Sequence, residues 1–245
     1  MRQATTLLAL VLLVLSPCLR GAVAGQTEDD PDRLYERRED LASVLAAAAT
    51  WERRLAARAT DYESAWKLAR ACYWLGSHVV QAERRAQFDR GIAAARRAVA
   101  ADPRAAAGHF WLAANMGAMA EAAGIRAGLR YRGEIKRELE TVLALDPAFQ
   151  KGSADRALGR WYFKVPGLFG GSDQKSLEHL RRSLTYDPDS AASLSFLADT
   201  LIEMNKREEA RQALQKVLAV PIDQEWGPET REFQKQAVAT LQRLR

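Results

Sequence analysis

The sequence predicts an all-α protein built as a stack of helical hairpins, and three observations lead to this fold class. The 245 residues are 48% hydrophobic but only 8% aromatic, and they are rich in Ala, Leu and Arg, which have high helix propensity. Runs of β-branched residues that could form strands are nearly absent. Proline-marked stops and pairs of Leu with a small residue recur at the intervals of a helical repeat.

The N-terminal residues have the composition of a leader peptide. Thr5–Leu15 is an apolar stretch, and Ala22-Val23-Ala24 supplies the small residues that a signal peptidase needs before Gly25. The sequence therefore predicts a signal peptide over residues 1–24 and a periplasmic or secreted mature protein, with an uncleaved N-terminal anchor as the alternative. Later segments fall short of the ~20 apolar residues that a spanning helix needs, so we expect no transmembrane segment after cleavage.

The two cysteines are too few for a disulfide framework. Pro17 precedes Cys18, whereas bacterial lipid attachment requires a small residue there, so lipid anchoring at Cys18 is disfavoured. Cleavage would leave Cys72 in an apolar helical stretch, where we expect a small buried hydrophobic residue. It would also remove Arg2 and Arg20, which lowers the formal charge from +5 to +3.

After a polar linker over residues 25–32, residues 33–245 are predicted to form a single α-solenoid. Its first element is a long N-terminal helix, because apolar residues recur at helical spacing at Leu34, Leu41, Leu45, Ala48, Trp51 and Leu55. Its last element is a capping helix over 228–245, with Pro228 in the first turn. One face of that helix carries Phe233, Ala237, Val238, Leu241 and Leu244.

Prolines mark the ends of four helices between these caps. Asp-Pro stands at 102–103, 146–147 and 187–188, and Val220-Pro221 stands where a fourth would fall. Proline cannot continue a helix and disfavours helical dihedral angles in the residue before it. Each unit also contains a leucine beside a small residue that lets the partner helix approach: Leu68-Ala69, Leu112-Ala113, Leu158-Gly159 and Leu197-Ala198. The predicted units lie near 62–103, 106–147, 152–188 and 191–221.

The last two units resemble tetratricopeptide repeats (TPRs). In the third, Leu158-Gly159 and Tyr162 match the Leu-Gly…Tyr pattern of that family. In the fourth, the matching positions are Leu194, Leu197, Ala198 and Leu201, the turn Asn205-Lys206, and then Ala210, Leu214 and Val217. The first two units are longer than the usual ~34 residues and more divergent. The resemblance implies a TPR-like solenoid.

The order of the motifs across about residues 40–245 is similar to that in two related families. The motifs are His109–Ala113, Gly124-Ile125, Leu158–Phe163, Pro166-Gly167 and Asp187-Pro188. One family is the T-component (TatT-type) of tripartite ATP-independent periplasmic (TRAP) transporters, and the other is the regulator-of-microtubule-dynamics family. Predicted export fits the first better, and that resemblance implies assistance to solute uptake through a periplasmic solute-binding protein.

The sequence contains no constellation of residues that predicts a reaction. His78, His109 and His179 have no second metal ligand at helical spacing, and no serine lies in a Gly-x-Ser-x-Gly turn. We therefore expect no enzyme activity, no catalytic residue, no metal site and no cofactor. A helical enzyme with its substrate pocket under Lys164–Gly171 is the alternative from that class.

The segment Gly167–Ser172 resembles a phosphate-binding loop only superficially, because it lacks a Gly-Lys-Ser/Thr ending and a preceding strand. We expect Ser172 or Asp173 to cap the following helix. The insertion Lys164–Gly171 is longer than a repeat turn needs, which makes it a candidate lid or partner contact.

Basic clusters occur at Arg84-Arg85, at Arg96-Arg97 and along a run formed by Arg126, Arg130, Arg132, Lys136 and Arg137. Such clusters bind anionic polymers in some proteins. Here Glu134, Glu138 and Glu140 interrupt the longest run, so we expect solvated helix faces and no nucleic-acid partner.

The first helix of each unit is predicted to line a concave groove, in which positions separated by four and three residues share a face. The candidate ligand contacts are Trp66, Arg70, Tyr73, Phe110, Arg156, Arg160 and Phe163, together with the less distinctive Ala114, Gly117, Ser195, Asp199 and Ile202. Arginine suits carboxylates, and aromatic rings add apolar contact area. The alternative is that the aromatic residues form the inter-repeat core while the arginines reach solvent.

These observations predict an exported, non-enzymatic TPR-like binding protein. Its partner is another protein, such as a periplasmic solute-binding protein, or a small carboxylate or acidic ligand. The alternative role is a scaffold for envelope or surface protein-complex assembly, and self-association into a homo-oligomer stays open.

Overall fold

The computed structural model describes residues 30–244, apart from the side chains of residues 125 and 127. The predicted signal peptide over 1–24, Cys18 and most of the predicted linker lie outside this range. Within it the chain forms eleven α-helices and no strand, which confirms the predicted all-α class. None of the described helices is both long and apolar enough to cross a membrane.

The helices pack as consecutive antiparallel neighbours. Their bounds are α1 Pro31–Glu36, α2 Leu41–Ala57, α3 Tyr62–His78, α4 Gln81–Ala101, α5 Ala106–Ala123, α6 Ile125–Leu145, α7 Phe149–Lys164, α8 Asp173–Tyr186, α9 Ala191–Glu203, α10 Arg207–Ala219 and α11 Gly227–Arg243. The pairs α3/α4, α5/α6, α7/α8 and α9/α10 form four hairpins, and the first helix of each hairpin contacts the first helix of the next. This is the TPR-like solenoid that the sequence predicts.

The N-terminal end differs from the single long helix that the sequence predicts. The helix α1 begins at Pro31, inside the predicted linker, and ends at Glu36. The Asp40 carboxylate then accepts hydrogen bonds from the backbone N–H groups of Ala42 (3.2 Å) and Ser43 (3.3 Å) and so starts a new helix, α2. Leu45, which the long-helix pattern places on the buried face, is 48% exposed.

The proline stops are confirmed. Helices α4, α6, α8 and α10 end at Ala101, Leu145, Tyr186 and Ala219, each directly before its Asp-Pro or Val-Pro pair. The aspartates stabilise these turns, because the Asp102 carboxylate accepts a hydrogen bond from the N–H of Arg104 at 3.0 Å, and Asp146 binds the N–H of Ala148 at 3.1 Å in the same way.

The Leu158-Gly159 pair lies at the contact between the two helices of its hairpin. Leu158 is buried, and a Cβ atom added to Gly159 would lie 2.5 Å from Cγ of Leu180 on α8. Trp161 and Tyr162, which follow on α7, are also buried and belong to the same core. Other pairs are buried in the same way, except that Leu197 of the last pair is half-buried.

The capping helix α11 closes the C-terminal end. Pro228 stands in its first turn, as predicted, and Ala237 is buried while Phe233 and Leu241 pack against the core. Val238 is 46% exposed and does not belong to the predicted buried face. It directly follows Ala237 and so points about 100° away from that residue around the helix axis.

The close contact at Gly159 generates a stability prediction. We expect Gly159→Ala to lower the free energy of unfolding by about 1–3 kcal/mol, because the new methyl group must displace Leu180 or the backbone of α8. Gly117→Ala is the matched control, since a Cβ there meets nothing within 4 Å, and we expect it to stabilise the protein by about 0.5–1 kcal/mol. Urea unfolding measures both. Equal effects of the two substitutions would contradict the packing argument.

Candidate binding groove

The groove lies between the first helices of the hairpins and α11. Its centre is Tyr73 on α3, whose hydroxyl lies within electrostatic reach of Glu121 on α5, Arg156 and Arg160 on α7, and Glu229 on α11. Burial, reinforced by Glu121, raises the pKa of Tyr73. Charged groups from three helices, α5, α7 and α11, therefore surround the Tyr73 hydroxyl.

Arg156 differs from the other charged groups around the groove because its charge is not neutralised. It lies on α7 and is half-buried, and among the described residues it forms no ion pair or hydrogen bond. Desolvation lowers the pKa of its guanidinium group, and only the more distant attraction of Tyr73 and Asp187 opposes that shift. An anion placed beside Arg156 would therefore gain a charge interaction that the protein itself leaves unsatisfied.

Arg160, one helical turn further along α7, is bound within the protein. It donates a hydrogen bond to Asp199 on α9 at 2.8 Å, and its Cζ atom lies 4.7 Å from the centroid of the Phe196 ring. It also lies 5.6 Å from the ring centroid of Phe163, which stays half-buried at the rim of the groove. Arg160 therefore connects adjacent units and orients the aromatic wall of the groove.

Arg70 on α3 occupies an aromatic site at the N-terminal end of the groove. Its Cζ atom lies 4.0 Å from the ring centroid of Tyr35 and 5.0 Å from that of Trp66. Desolvation lowers the pKa of Arg70, and Asp32 pairs with its guanidinium group at 3.6 Å. Its Nε atom is buried and has no hydrogen-bond partner among the described residues.

The structure separates the predicted groove residues into two groups. A first group is half-buried and keeps some exposed surface: Trp66, Arg70, Tyr73, Arg156, Arg160 and Phe163. Phe110 does not, because it is buried with its ring centroid 5.5 Å from that of Phe149 and 5.1 Å from that of Trp111. For Phe110 the structure corrects the groove assignment in favour of the inter-repeat core.

Side-chain contacts join the two ends of the solenoid on one side of this groove, and Arg38 is their centre. Arg38 is 4% exposed and lies between the rings of Tyr35 and Trp74, with Cζ 5.5 Å and 5.3 Å from their centroids. Its guanidinium group donates hydrogen bonds to both carboxylate oxygens of Glu229 (2.9 and 2.6 Å) and to the backbone carbonyl of Glu225.

Two exposed pairs extend this contact, and we call the three pairs together the clasp. Arg231 binds Glu39 with an N–O distance of 2.5 Å, and His78 binds Glu232 at 2.7 Å. Burial opposes the charge of His78, but its hydrogen bonds to Glu232 and to the Trp74 carbonyl outweigh that effect and raise its pKa. The clasp thus joins the N-terminal segments to α11 through side chains separated by more than 150 residues in sequence.

The clasp residues escaped the sequence analysis. Arg38 lies in a run of charged residues, Glu36–Asp40, that has the composition of an exposed turn. The sequence feature related to the clasp is Trp74 on α3. Its indole N–H donates a hydrogen bond to the Arg38 carbonyl at 2.6 Å. Arg38 and Glu229 are 191 residues apart, and a contact over that distance produces no periodic pattern in the sequence.

The other two histidines are also paired with carboxylates. His109 binds Glu138 at 2.6 Å, and His179 binds Asp155 at 2.7 Å, in each case between the two helices of one hairpin. Over residues 30–244, no group of three or more His, Cys, Asp or Glu side chains is arranged to hold a metal ion. Cys72 is fully buried, as the sequence predicts, and burial raises its pKa to about 12.

Comparison with known families shows to which family the chain belongs. The profile of the family described as regulator of microtubule dynamics protein 1-3 matches residues 29–169, more than half of the sequence. The chain belongs to this family. Of the two families that the sequence resembles, the match is therefore to the regulator of microtubule dynamics family. A tetratricopeptide repeat profile matches residues 174–221, which cover α8–α10.

Solved structures confirm the TPR fold of this family member. TTC0263, a thermophilic TPR protein in Thermus thermophilus, is 22% identical with a TM-score of 0.65, and the match covers 87% of this chain and 98% of that chain. A crystal structure of MamA is 15% identical with a TM-score of 0.52, covering 85% and 98%. At these identities the likeness shows the fold alone. No curated protein matches the sequence.

The buried ion pair of the clasp generates a second stability prediction. We expect Glu229→Gln to lower the free energy of unfolding by about 3 kcal/mol, because it leaves the buried charge of Arg38 without a counterion. Glu39→Gln removes an equivalent charge from the exposed pair with Arg231, and we expect a loss below about 1 kcal/mol. Chemical denaturation of both variants measures the difference. Similar small losses would show that the Arg38 pair contributes little to joining the ends.

Proposed function

We propose that this protein is a non-enzymatic binding module that holds an extended, carboxylate-bearing segment of another protein in its groove. The observation that carries the proposal is Arg156, which is half-buried on α7 and forms no ion pair or hydrogen bond in the described part of the chain. Partial burial of a charge without a partner is unfavourable, so the fold itself gives no reason for a cation in this position. A carboxylate of the partner would supply the missing counterion.

The rest of the groove suits a partner with a single acidic group better than a polyanion. Glu121, Asp199 and Glu229 also face the groove, and they neutralise Arg160 and Arg38. A run of negative charges would meet these carboxylates, whereas one carboxylate beside Arg156 would not. The exposed faces of Trp66 and Phe163 supply apolar contact for the neighbouring residues of the partner.

We further propose that the mature protein is periplasmic or secreted and assists a TRAP-type solute uptake system by binding its solute-binding protein. The leader-like composition of residues 1–24 and the resemblance to the T-component family support this role. The alternative is a scaffold for envelope or surface-complex assembly, which the same groove supports.

The groove proposal predicts that one substitution weakens partner binding without lowering thermal stability. We expect Arg156→Met to keep or raise the melting temperature, because it removes an unpaired desolvated charge. The same variant should recover at least tenfold less partner in a pull-down from an envelope extract, since the loss of one charge-assisted contact costs a few kcal/mol. Arg137→Met, which changes an exposed arginine outside the groove, is the matched control. Unchanged recovery with folded Arg156→Met would refute the proposal.

The transport role predicts a particular gene neighbourhood and a particular partner. We expect genes for a periplasmic solute-binding protein and for membrane permease subunits beside the gene for this chain. We also expect that solute-binding protein to be the partner recovered with the wild-type protein, as identified by mass spectrometry. Recovery of envelope assembly proteins, with no such genes nearby, would favour the scaffold instead.

A further inference from the structure

The two edges of the solenoid differ in chemistry. Because the hairpins stack with their first helices side by side, the turns within hairpins lie at one edge and the turns between hairpins at the other. We call the first the hairpin edge; it contains the turns α3–α4, α5–α6, α7–α8 and α9–α10. The opposite edge contains the turns α4–α5, α6–α7 and α8–α9, each of which begins with an aspartate, at Asp102, Asp146 and Asp187.

Apolar side chains project from the hairpin edge. Leu168 is 89% exposed, Val80 is 66% exposed and Phe169 is 39% exposed. Leu168 and Phe169 stand at the tip of the Lys164–Gly171 insertion, which the groove does not use. Of the large apolar side chains in the described part of the chain, Leu168 and Val80 are the two most exposed.

The tip of the insertion is held in a fixed conformation. The N–H groups of Phe169 and Gly170 donate to the carbonyls of Pro166 (2.8 Å) and Gly167 (3.0 Å) and form a 3-10 turn. At its base the N–H of Ser172 donates to the Tyr162 carbonyl at 2.9 Å. The side chain of Ser172 caps α8, as the sequence predicts, by accepting the N–H of Lys175 at 3.3 Å. The turn therefore presents Leu168 outward from a rigid base.

Basic side chains lie along the same edge. In the first two turns of α4 and α6, and at the end of α7, the exposed cations are Arg84, Arg85, Arg126, Arg130 and Lys164. Of these, Lys164 lies 3.8 Å from a carboxylate oxygen of Glu121. Arg132 lies over the Phe169 ring, with Cζ 5.5 Å from its centroid. These residues include two of the basic clusters for which the sequence predicts solvated helix faces. Arg84 donates a hydrogen bond from Nε to the Val79 carbonyl at the end of α3 (3.4 Å), whereas Arg126 lies in the first turn of α6, where a cation opposes the helix dipole.

We propose that the hairpin edge docks on an anionic lipid surface. Leu168 and Val80 would enter the apolar part of the bilayer while the arginines and Lys164 contact headgroup phosphates. The combination of protruding apolar side chains with arginines and a lysine favours a lipid surface over other partners. A nucleic acid would satisfy the arginines but has no apolar phase for a protruding leucine. A protein partner requires a continuous complementary surface, whereas Leu168 and Val80 project from separate turns. The aspartates of the opposite edge orient the molecule, because the lipid charge repels them.

Sedimentation of the full chain with vesicles of phosphatidylcholine alone, or with 30% phosphatidylglycerol, tests the proposal. We expect binding to the anionic vesicles only, with an affinity that falls at least tenfold between 50 and 300 mM salt, an order of magnitude typical of several phosphate contacts. Leu168→Glu and the double variant Arg85→Glu/Arg126→Glu should each reduce the partition coefficient at least tenfold. All three positions are exposed, and acidic residues suit helix N-termini, so we expect these variants to fold.

Matched controls come from the opposite edge. Leu145, which is 39% exposed beside Asp146, and Arg104, which follows Asp102-Pro103, should tolerate Leu145→Glu and Arg104→Glu without loss of vesicle binding. Equal losses at the two edges, or wild-type binding by Leu168→Glu, would overturn the proposal. Absence of vesicle binding by the wild-type chain would also overturn it, as would a Leu168-dependent dimer in analytical ultracentrifugation that accounts for all effects of the substitution.

Discussion

The buried guanidinium group of Arg38 is the constraint on which the shape of the groove depends. A solenoid of hairpins is an open structure in which each unit contacts only its neighbours, and small changes at each interface add up along the stack. Here the cation between Tyr35 and Trp74 is paired with Glu229 from the far end of the chain. That long-range contact fixes the distance between α3 and α11, and so the width of the space around Tyr73.

The electrostatics of the groove follow from this closure. Carboxylates that reach the interior are paired with arginines, at Asp199 with Arg160 and at Glu229 with Arg38. Arg156 is held among the same helices without such a partner in the described part of the chain. Because Arg156 is half-buried, water screens its charge less than it would at a fully exposed surface. Arg38 therefore stabilises the fold because its charge is paired, whereas Arg156 suits partner binding because its charge is not paired within the protein.

Local patterns in the sequence predicted most of the fold and part of the site. The Asp-Pro stops and the Leu-small pairs located four hairpins, because helix termination and close packing depend on residues near in sequence. The same spacing rule placed Tyr73, Arg156 and Phe110 on one groove face, and it could not distinguish Phe110, which is buried against Phe149 of the next unit. The groove contacts at Tyr73 and Arg156 stay a prediction. The break at Asp40 was missed, because an apolar period continues across a capped turn without interruption. The clasp was beyond prediction, since its pairings span most of the chain.

The buried Cys72 gives the molecule an internal reporter of its own dynamics. It is the free cysteine of the described chain, it is fully buried on α3, and its pKa of about 12 leaves almost no thiolate at neutral pH. Modification of this thiol therefore requires that α3 separate from its neighbours, so the rate of labelling measures how often the N-terminal hairpin opens. Because α3 also carries Tyr73 and Trp74, that rate describes the same opening that would release the clasp and widen the groove for an incoming partner.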